Sequence, residues 1–283
     1  MDGRPLADSL FAAPDAAATR DGVACLERGP VVEVVLDRPH VLNALNLAMW
    51  RRLAALFREL AEREDLRVVV VRGVNGQAFS AGADIAEFMD LRVGREGADG
   101  YNASIADALL AIRELPVPTV AMISGPAVGG GCELAAACDL RIASSTARFG
   151  IPIGRLGVTL GAVEAASLVS LVGPSQTKRM ILTGELLGAD EALRIGLVDR
   201  VVAEERLEQT TRDAVQAIVD AAPIAVRANK LLVNGLAYGR GSDHASRLDE
   251  LTTAVYDGDD LREGIRAFLE KRAPRFGPGR DGG

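Results

Sequence analysis

The residues best suited to chemistry lie where a strand breaks into glycine and restarts as helix. Residues 118–139 read PTVAMISGPAVGGGCELAAACD. Thr119–Ile123 has strand character and ends at the turn signal Ser124-Gly125-Pro126. Gly129, Gly130 and Gly131 follow, then Cys132, Glu133 and a helix-forming run of Leu and Ala. A helix that starts this way leaves backbone N–H groups without partners, under the positive end of its dipole. Glycines without Cβ atoms let a ligand approach that main chain closely. Glu133 in the first turn puts a carboxylate beside those donors. The set suits a carbonyl that becomes an oxyanion next to a group that moves a proton. Taken alone, the stretch reads equally well as a tight loop with a dipole-favoured carboxylate.

A second stretch repeats the pattern. After the run at residues 67–72 comes Ala78-Phe79-Ser80-Ala81-Gly82-Ala83-Asp84-Ile85, with a helix expected to start near Asp84. Gly82 frees the backbone so that the Ala83 N–H can point outward. Two donors from two strand-to-helix turns, one with a glutamate beside it, are what an oxyanion hole requires.

The elements that must position these turns are legible along the chain. Residues 23–27 and 31–36 pair as a hairpin across Arg28-Gly29-Pro30. A helix is expected over residues 46–64, with Met49, Leu53, Leu56, Phe57 and Leu60 at helical spacing. Residues 67–73 form a β-branched run of the kind buried on both faces of a parallel sheet. Helix is expected again over residues 100–115, then strands near 140–143 and 147–150. Further helices are expected at 162–171, 175–182, 190–195, 203–221, 224–236, 242–256 and 261–271. Strand and helix alternate to residue 202 and only helices follow, which is an α/β fold. The division is a loose arm over residues 1–20, a core over 21–202 and a helical region over 203–283.

Composition narrows the function classes. The chain has 283 residues, 48% hydrophobic and 25% charged, as a globular protein does. A formal charge of −7 argues against nucleic-acid binding by bulk charge. No apolar run reaches membrane-spanning length. Cys25, Cys132 and Cys138 have neither metal-ligand spacing nor an evident disulfide pattern, and the N-terminus lacks a secretory apolar core, so a cytoplasmic protein is expected. His40 and His244 come with no Gly-x-Ser-x-Gly elbow, which disfavours a serine hydrolase. Trp50 and Phe57 read as core or interface, and Asp139 as the closure of the helix-to-strand turn.

The chain resembles the crotonase superfamily, the enoyl-CoA hydratases and isomerases. The matching residues are Leu36-Asp37-Arg38-Pro39 with Asn43-Ala44-Leu45-Asn46, then Phe79 to Ile85, Ser124 to Leu134, Cys138-Asp139, Phe149-Gly150 and Leu156-Gly157. Glu263-Gly264 and Ala267 to Arg272 match in the tail. The resemblance covers about residues 22 to 275. It implies a spiral of strand-strand-helix units with C-terminal helices that pack in a trimer or a dimer of trimers. It also implies an acyl-CoA thioester substrate, with coenzyme A part of that substrate and no separate cofactor or metal. The N–H groups of Ala83 and Gly130 would hold the thioester oxygen and stabilise an enolate. Glu133 would be the general base for water addition. Ala81, Gly82, Asp84, Ile85, Gly129, Ile153 and Gly161 would line the site.

The pattern departs from the superfamily at one decisive position. The second hydratase glutamate follows Phe-Gly-x-Pro, and here that residue is Ile153. An isoleucine moves no proton, which keeps open both a hydratase or isomerase and an acyl-CoA binder with lost or altered catalysis. Glu164, further along, could swing in to supply a carboxylate, but it is expected on a helix surface. A superfamily lysine near the CoA phosphates is Ala86 here, which shifts phosphate contacts to Arg38 or Lys271-Arg272.

Overall fold

The computed structural model describes residues 10–277. Its strands are β1 (Thr19–Arg20), β2 (Val23–Arg28), β3 (Val31–Leu36), β4 (Val68–Gly73), β5 (Thr119–Ile123), β6 (Pro126–Val128), β7 (Leu140–Ser144), β8 (Arg148–Gly150), β9 (Leu187–Gly188) and β10 (Arg200–Val202). Its helices are α1 (Leu47–Ala61), α2 (Phe88–Leu91), α3 (Arg95–Arg113), α4 (Gly130–Ala137), α5 (Ala162–Thr183), α6 (Ala189–Arg194), α7 (Leu207–Val219), α8 (Pro223–Ala237), α9 (Gly241–Asp257) and α10 (Asp259–Leu269).

Two sheets form the spiral. The larger has the order β1-β2-β3-β4-β5-β7-β10, antiparallel through β3 and parallel from β3 onward. The smaller has the order β6-β8-β9. Successive turns of chain give one strand to each sheet and then a helix, as in β5-β6-α4 and β7-β8-α5. Single bridges, Ser80 with Ala127 and Leu45 with Ala83, extend this second layer toward the earlier turns.

The period-two alternation of the strands explains the two cores. Val69 and Val71 of β4 join the main cluster with Trp50, Leu53 and Phe57 of α1 and Leu109 and Ile112 of α3. Val68 and Val70 face the other way, against Leu207 and Val215 of α7. A strand covered on both faces must be apolar throughout, as the run of four valines is. Leu10 and Phe11 join this second cluster, and the Arg72 guanidinium donates to the Ala12 carbonyl at 2.6 Å. Residues 10–12, part of the expected loose arm, are therefore docked on the sheet; residues 1–9 lie outside the described residues. Arg72 also donates to Glu33 at 2.7 Å, an ion pair across β3 and β4 with Glu33 fully buried.

Local rules set the helix ends. The Asn46 side chain accepts from the Met49 amide at 2.9 Å and starts α1. The two helices expected at 162–171 and 175–182 are the two halves of α5, separated where Gly173 leaves the helical region at φ 71° immediately before Pro174. Asp139 does close its turn. Its Oδ2 accepts from the Thr119 amide at 2.7 Å and from Lys230 Nζ of α8 at 2.7 Å, which ties the C-terminal helices to the core.

Candidate active site

The first site turn follows β4. The Leu45 amide donates to the Gly82 carbonyl at 2.7 Å, and the Asp84 amide to the Leu45 carbonyl at 2.8 Å. The ladder thus uses the residues on either side of Ala83. Its own N–H points to the opposite side, with no acceptor among the described residues. Gly82 holds φ +110°, and a Cβ there would lie 2.9 Å from the Val128 carbonyl oxygen. The second turn follows β6. Gly129 holds φ +50°, and the first bond of α4 runs from the Glu133 amide to the Gly129 carbonyl at 3.0 Å. The amides of Gly130, Gly131 and Cys132 are left without intrahelical acceptors. Glycine serves both turns through its backbone: Gly82 and Gly129 hold positive φ, and the Cβ clash of Gly82 with the Val128 carbonyl shows how closely the first turn approaches the second. Gly131 sits as close to the first turn, since a Cβ there would lie 2.5 Å from the Ser80 carbonyl oxygen.

Residues outside the glycine motifs hold the first turn rigid. Asn43 Nδ2 donates to the Ala78 carbonyl at 2.9 Å, and Ser80 Oγ donates to the Asn43 carbonyl at 2.8 Å. Glu87 Oε1 accepts from the Leu47 amide at 2.7 Å and the Tyr101 hydroxyl at 2.6 Å, linking the starts of α1 and α3. Trp50 packs beneath Gly130. Asn43 and Ser80 belong to matching motifs, so motif spacing could have marked them. Glu87 carries no sequence signal beyond the helix start.

Glu133 lies in the first turn of α4, buried, and its carboxylate has no hydrogen-bond partner among the described residues. Burial, and then the facing charge of Glu164, push its carboxyl up to about 8, while Arg92 pulls the other way. Glu164 corrects the expectation of a surface position. It is the third residue of α5 and only 4% exposed. The same burial raises its carboxyl, against the pull of its own amide and of Arg92. Periodicity could not find this, because the glutamate stands among alanines that mark no face. Arg92, which no motif identified, projects over Phe88 and Tyr101 with its guanidinium 4.7 and 4.9 Å from their rings.

The other expected site residues have definite places. Ala81 donates its amide to the Leu42 carbonyl at 2.9 Å, and Ile85 is exposed beside it. Asp84 is held by Arg38 at 2.9 Å and receives the Ala86 amide, so it caps its turn. Arg38 Nη1 donates to the Ala44 carbonyl as well, so this nitrogen is committed to the turn. Arg272 is likewise taken, by Glu263 and Glu270. Ile153 packs against the main core. Gly161 precedes α5, and a Cβ there would collide with the Glu164 carboxylate. Cys132 and Cys138 are buried, and burial pushes both thiols up to about 12, so neither is a poised nucleophile. His40 is exposed in its turn. No group of three or more His, Cys, Asp or Glu placed to hold a metal ion occurs among the described residues, and no described helix is long and apolar enough to cross a membrane.

Comparison with known proteins agrees with this geometry. The family model described as enoyl-CoA hydratase/isomerase matches residues 27–279. The short-chain-enoyl-CoA hydratase of Clostridium acetobutylicum is 36% identical over 249 residues, 87% of this chain and 94% of that one. The crotonyl-CoA hydratase of Syntrophomonas wolfei is 34% identical over 242 residues, 85% of this chain and 92% of that one. The crystal structure of an enoyl-CoA hydratase/carnitine racemase from Magnetospirillum magneticum superposes with a TM-score of 0.86 at 36% identity, covering 92% of this chain and 97% of that one. Residue by residue and fold by fold, this chain belongs to the enoyl-CoA hydratase/isomerase family and is an enzyme of that type.

Proposed function

We propose that the chain adds water reversibly to a 2-enoyl-CoA thioester through a thioester enolate. The observation that carries this reading is the pair of N–H groups, on Ala83 and Gly130, that have no acceptor among the described residues, at two adjoining turns beside a Glu133 carboxylate that likewise has no hydrogen-bond partner among them. The thioester oxygen accepts from both amides. Charge that develops there as C3 is attacked meets donors already in place, and one such donor is typically worth about 10²–10³ in rate. Glu133 takes the proton from the attacking water. The substrate brings coenzyme A with it, and the reading uses no separate cofactor, metal, nucleic acid or membrane. Ala81, Ile85, Gly129 and Ile153 border the acyl thioester, while Asp84 and Gly161 serve the site through Arg38 and Glu164.

The assembly we propose is a homo-oligomer built on the C-terminal helices, a trimer or a dimer of trimers. Ile265, Phe268 and Leu269 of α10 present exposed apolar side chains that a subunit contact would cover, Phe268 at 83% exposure. A cytoplasmic setting fits the three free cysteines. The test is hydration of crotonyl-CoA, followed by loss of the enoyl-thioester absorbance. Turnover that falls at least about 10²-fold in Glu133→Gln is expected. A wild-type protein that binds acetoacetyl-CoA but hydrates no enoyl-CoA would favour the alternative, an acyl-CoA binder with altered catalysis at the Ile153 position.

A further inference from the structure

We propose that Glu164, from the first turn of α5, is the proton-sharing partner of Glu133, in a chain where Ile153 supplies no second carboxylate. The inference rests on the hydratase reading above. Its ground is the placement of two carboxylates on two glycine-led helix starts. Helices α4 and α5 pack against one another. Glu133 follows Gly129 to Gly131 on one, and Glu164 follows Gly161 on the other. Both are more than nine-tenths buried. Glu164 Oε2 has no hydrogen-bond partner among the described residues. A glutamate in the first turn of a helix is ordinarily a solvated, dipole-favoured group. This one folds back over Gly161, where a Cβ would strike its carboxylate.

The charges around the pair fix its protonation. The charged groups facing Glu133 are Glu164 from α5 and Arg92 from the turn between α2 and α3. On α4 itself the neighbour is the Cys132 thiol, neutral at physiological pH. Arg92 also faces Glu164. It donates to Asn102 Oδ1 at 2.7 Å and stacks on Phe88 and Tyr101, which keeps its charge at the site. One cation against two buried carboxyls balances when one carboxyl is ionised and the other holds a proton. Like charges in a shared dry site enforce the same result.

That state fits water addition. The ionised carboxyl takes a proton from water as the water oxygen bonds to C3, and the C2=C3 π electrons move into the thioester to form the enolate. The pair's resident proton is then delivered to C2 as the enolate collapses. Water has been added across the double bond, and the pair again holds one proton. Glu164 acts through Glu133 as a positioning residue.

The experiment is the pH profile of kcat/KM for crotonyl-CoA hydration in wild type, Glu164→Gln, Glu164→Asp and Ile153→Glu combined with Glu164→Gln. Glu164→Gln removes the repelling charge. The acid limb set by Glu133 is expected to move down by about one pH unit or more, with kcat reduced by about 10²-fold and KM little changed. Glu164→Asp keeps the limb near wild type, and Ile153→Glu returns part of kcat to the Gln variant. A wild-type limb and kcat in Glu164→Gln overturn the inference, and leave the hydratase reading standing if Glu133→Gln is inactive. Infrared spectroscopy supplies a second readout that needs neither turnover nor substrate. At neutral pH the wild type should show the C=O stretch of a buried protonated carboxyl, lost in Glu133→Gln combined with Glu164→Gln. Absence of that band in the wild type overturns the pair even if Glu164→Gln does not fold. A wild type without activity on any enoyl-CoA refutes the hydratase reading instead.

Discussion

Replacing Glu133 by Gln should make stability respond differently to pH. The folded chain holds the Glu133 carboxyl up at about 8, where the ordinary value is 4.5, chiefly by burial and then by Glu164. Below pH 4.5 the group is protonated in both folded and unfolded chains and costs nothing. Between that value and about 8 the unfolded chain has released the proton while the folded chain keeps it, so the folded state loses stability as pH rises. Above about 8 both states are ionised and the loss is complete. At about 1.4 kcal/mol per pH unit over this window, the ceiling is about 5 kcal/mol. Gln has the same shape and does not titrate, so the variant escapes the loss. Urea unfolding of both proteins at pH 5.5, 7 and 9, at one protein concentration, measures the difference. Trp50, the single tryptophan and fully buried, supplies the fluorescence signal. The variant should gain on wild type by about 2 kcal/mol or more across this range, within the ceiling above. A stability difference that does not change with pH would refute the burial assigned to the Glu133 carboxyl.

Gly131→Ala adds a methyl group 2.5 Å from the Ser80 carbonyl oxygen and must push the two site turns apart. Its kcat should fall by about 10²-fold or more, while stability drops by about 1–3 kcal/mol. Unchanged kcat would show that turn contact is not needed to place the donors. Glu33→Gln leaves the Arg72 guanidinium buried without its carboxylate partner. Urea unfolding should show a loss of about 3–5 kcal/mol, and a change under 1 kcal/mol would contradict the buried pair.

The order of strands and helices was readable from the sequence because it depends on neighbours along the chain. Alternating and β-branched runs marked the hairpin and β4, and helical spacing of Met49, Leu53, Phe57 and Leu60 marked α1. The glycine turns before Ala83 and Glu133 were readable for the same reason. Groups whose meaning comes from partners far along the chain were not. Glu33 in β3 is a lone carboxylate in an apolar strand, and only Arg72 on β4, far along the chain, makes it half of a buried ion pair. Leu10 and Phe11 looked like a loose arm until the far face of the sheet covered them. Glu164 differs from a surface glutamate only in that α5 turns it inward toward α4, where it is 31 residues from Glu133 in sequence and yet faces its charge. Periodicity reports which residues share a face of an element. Only the packing of elements decides what that face meets, and through burial and neighbouring charge it sets the protonation on which this site depends.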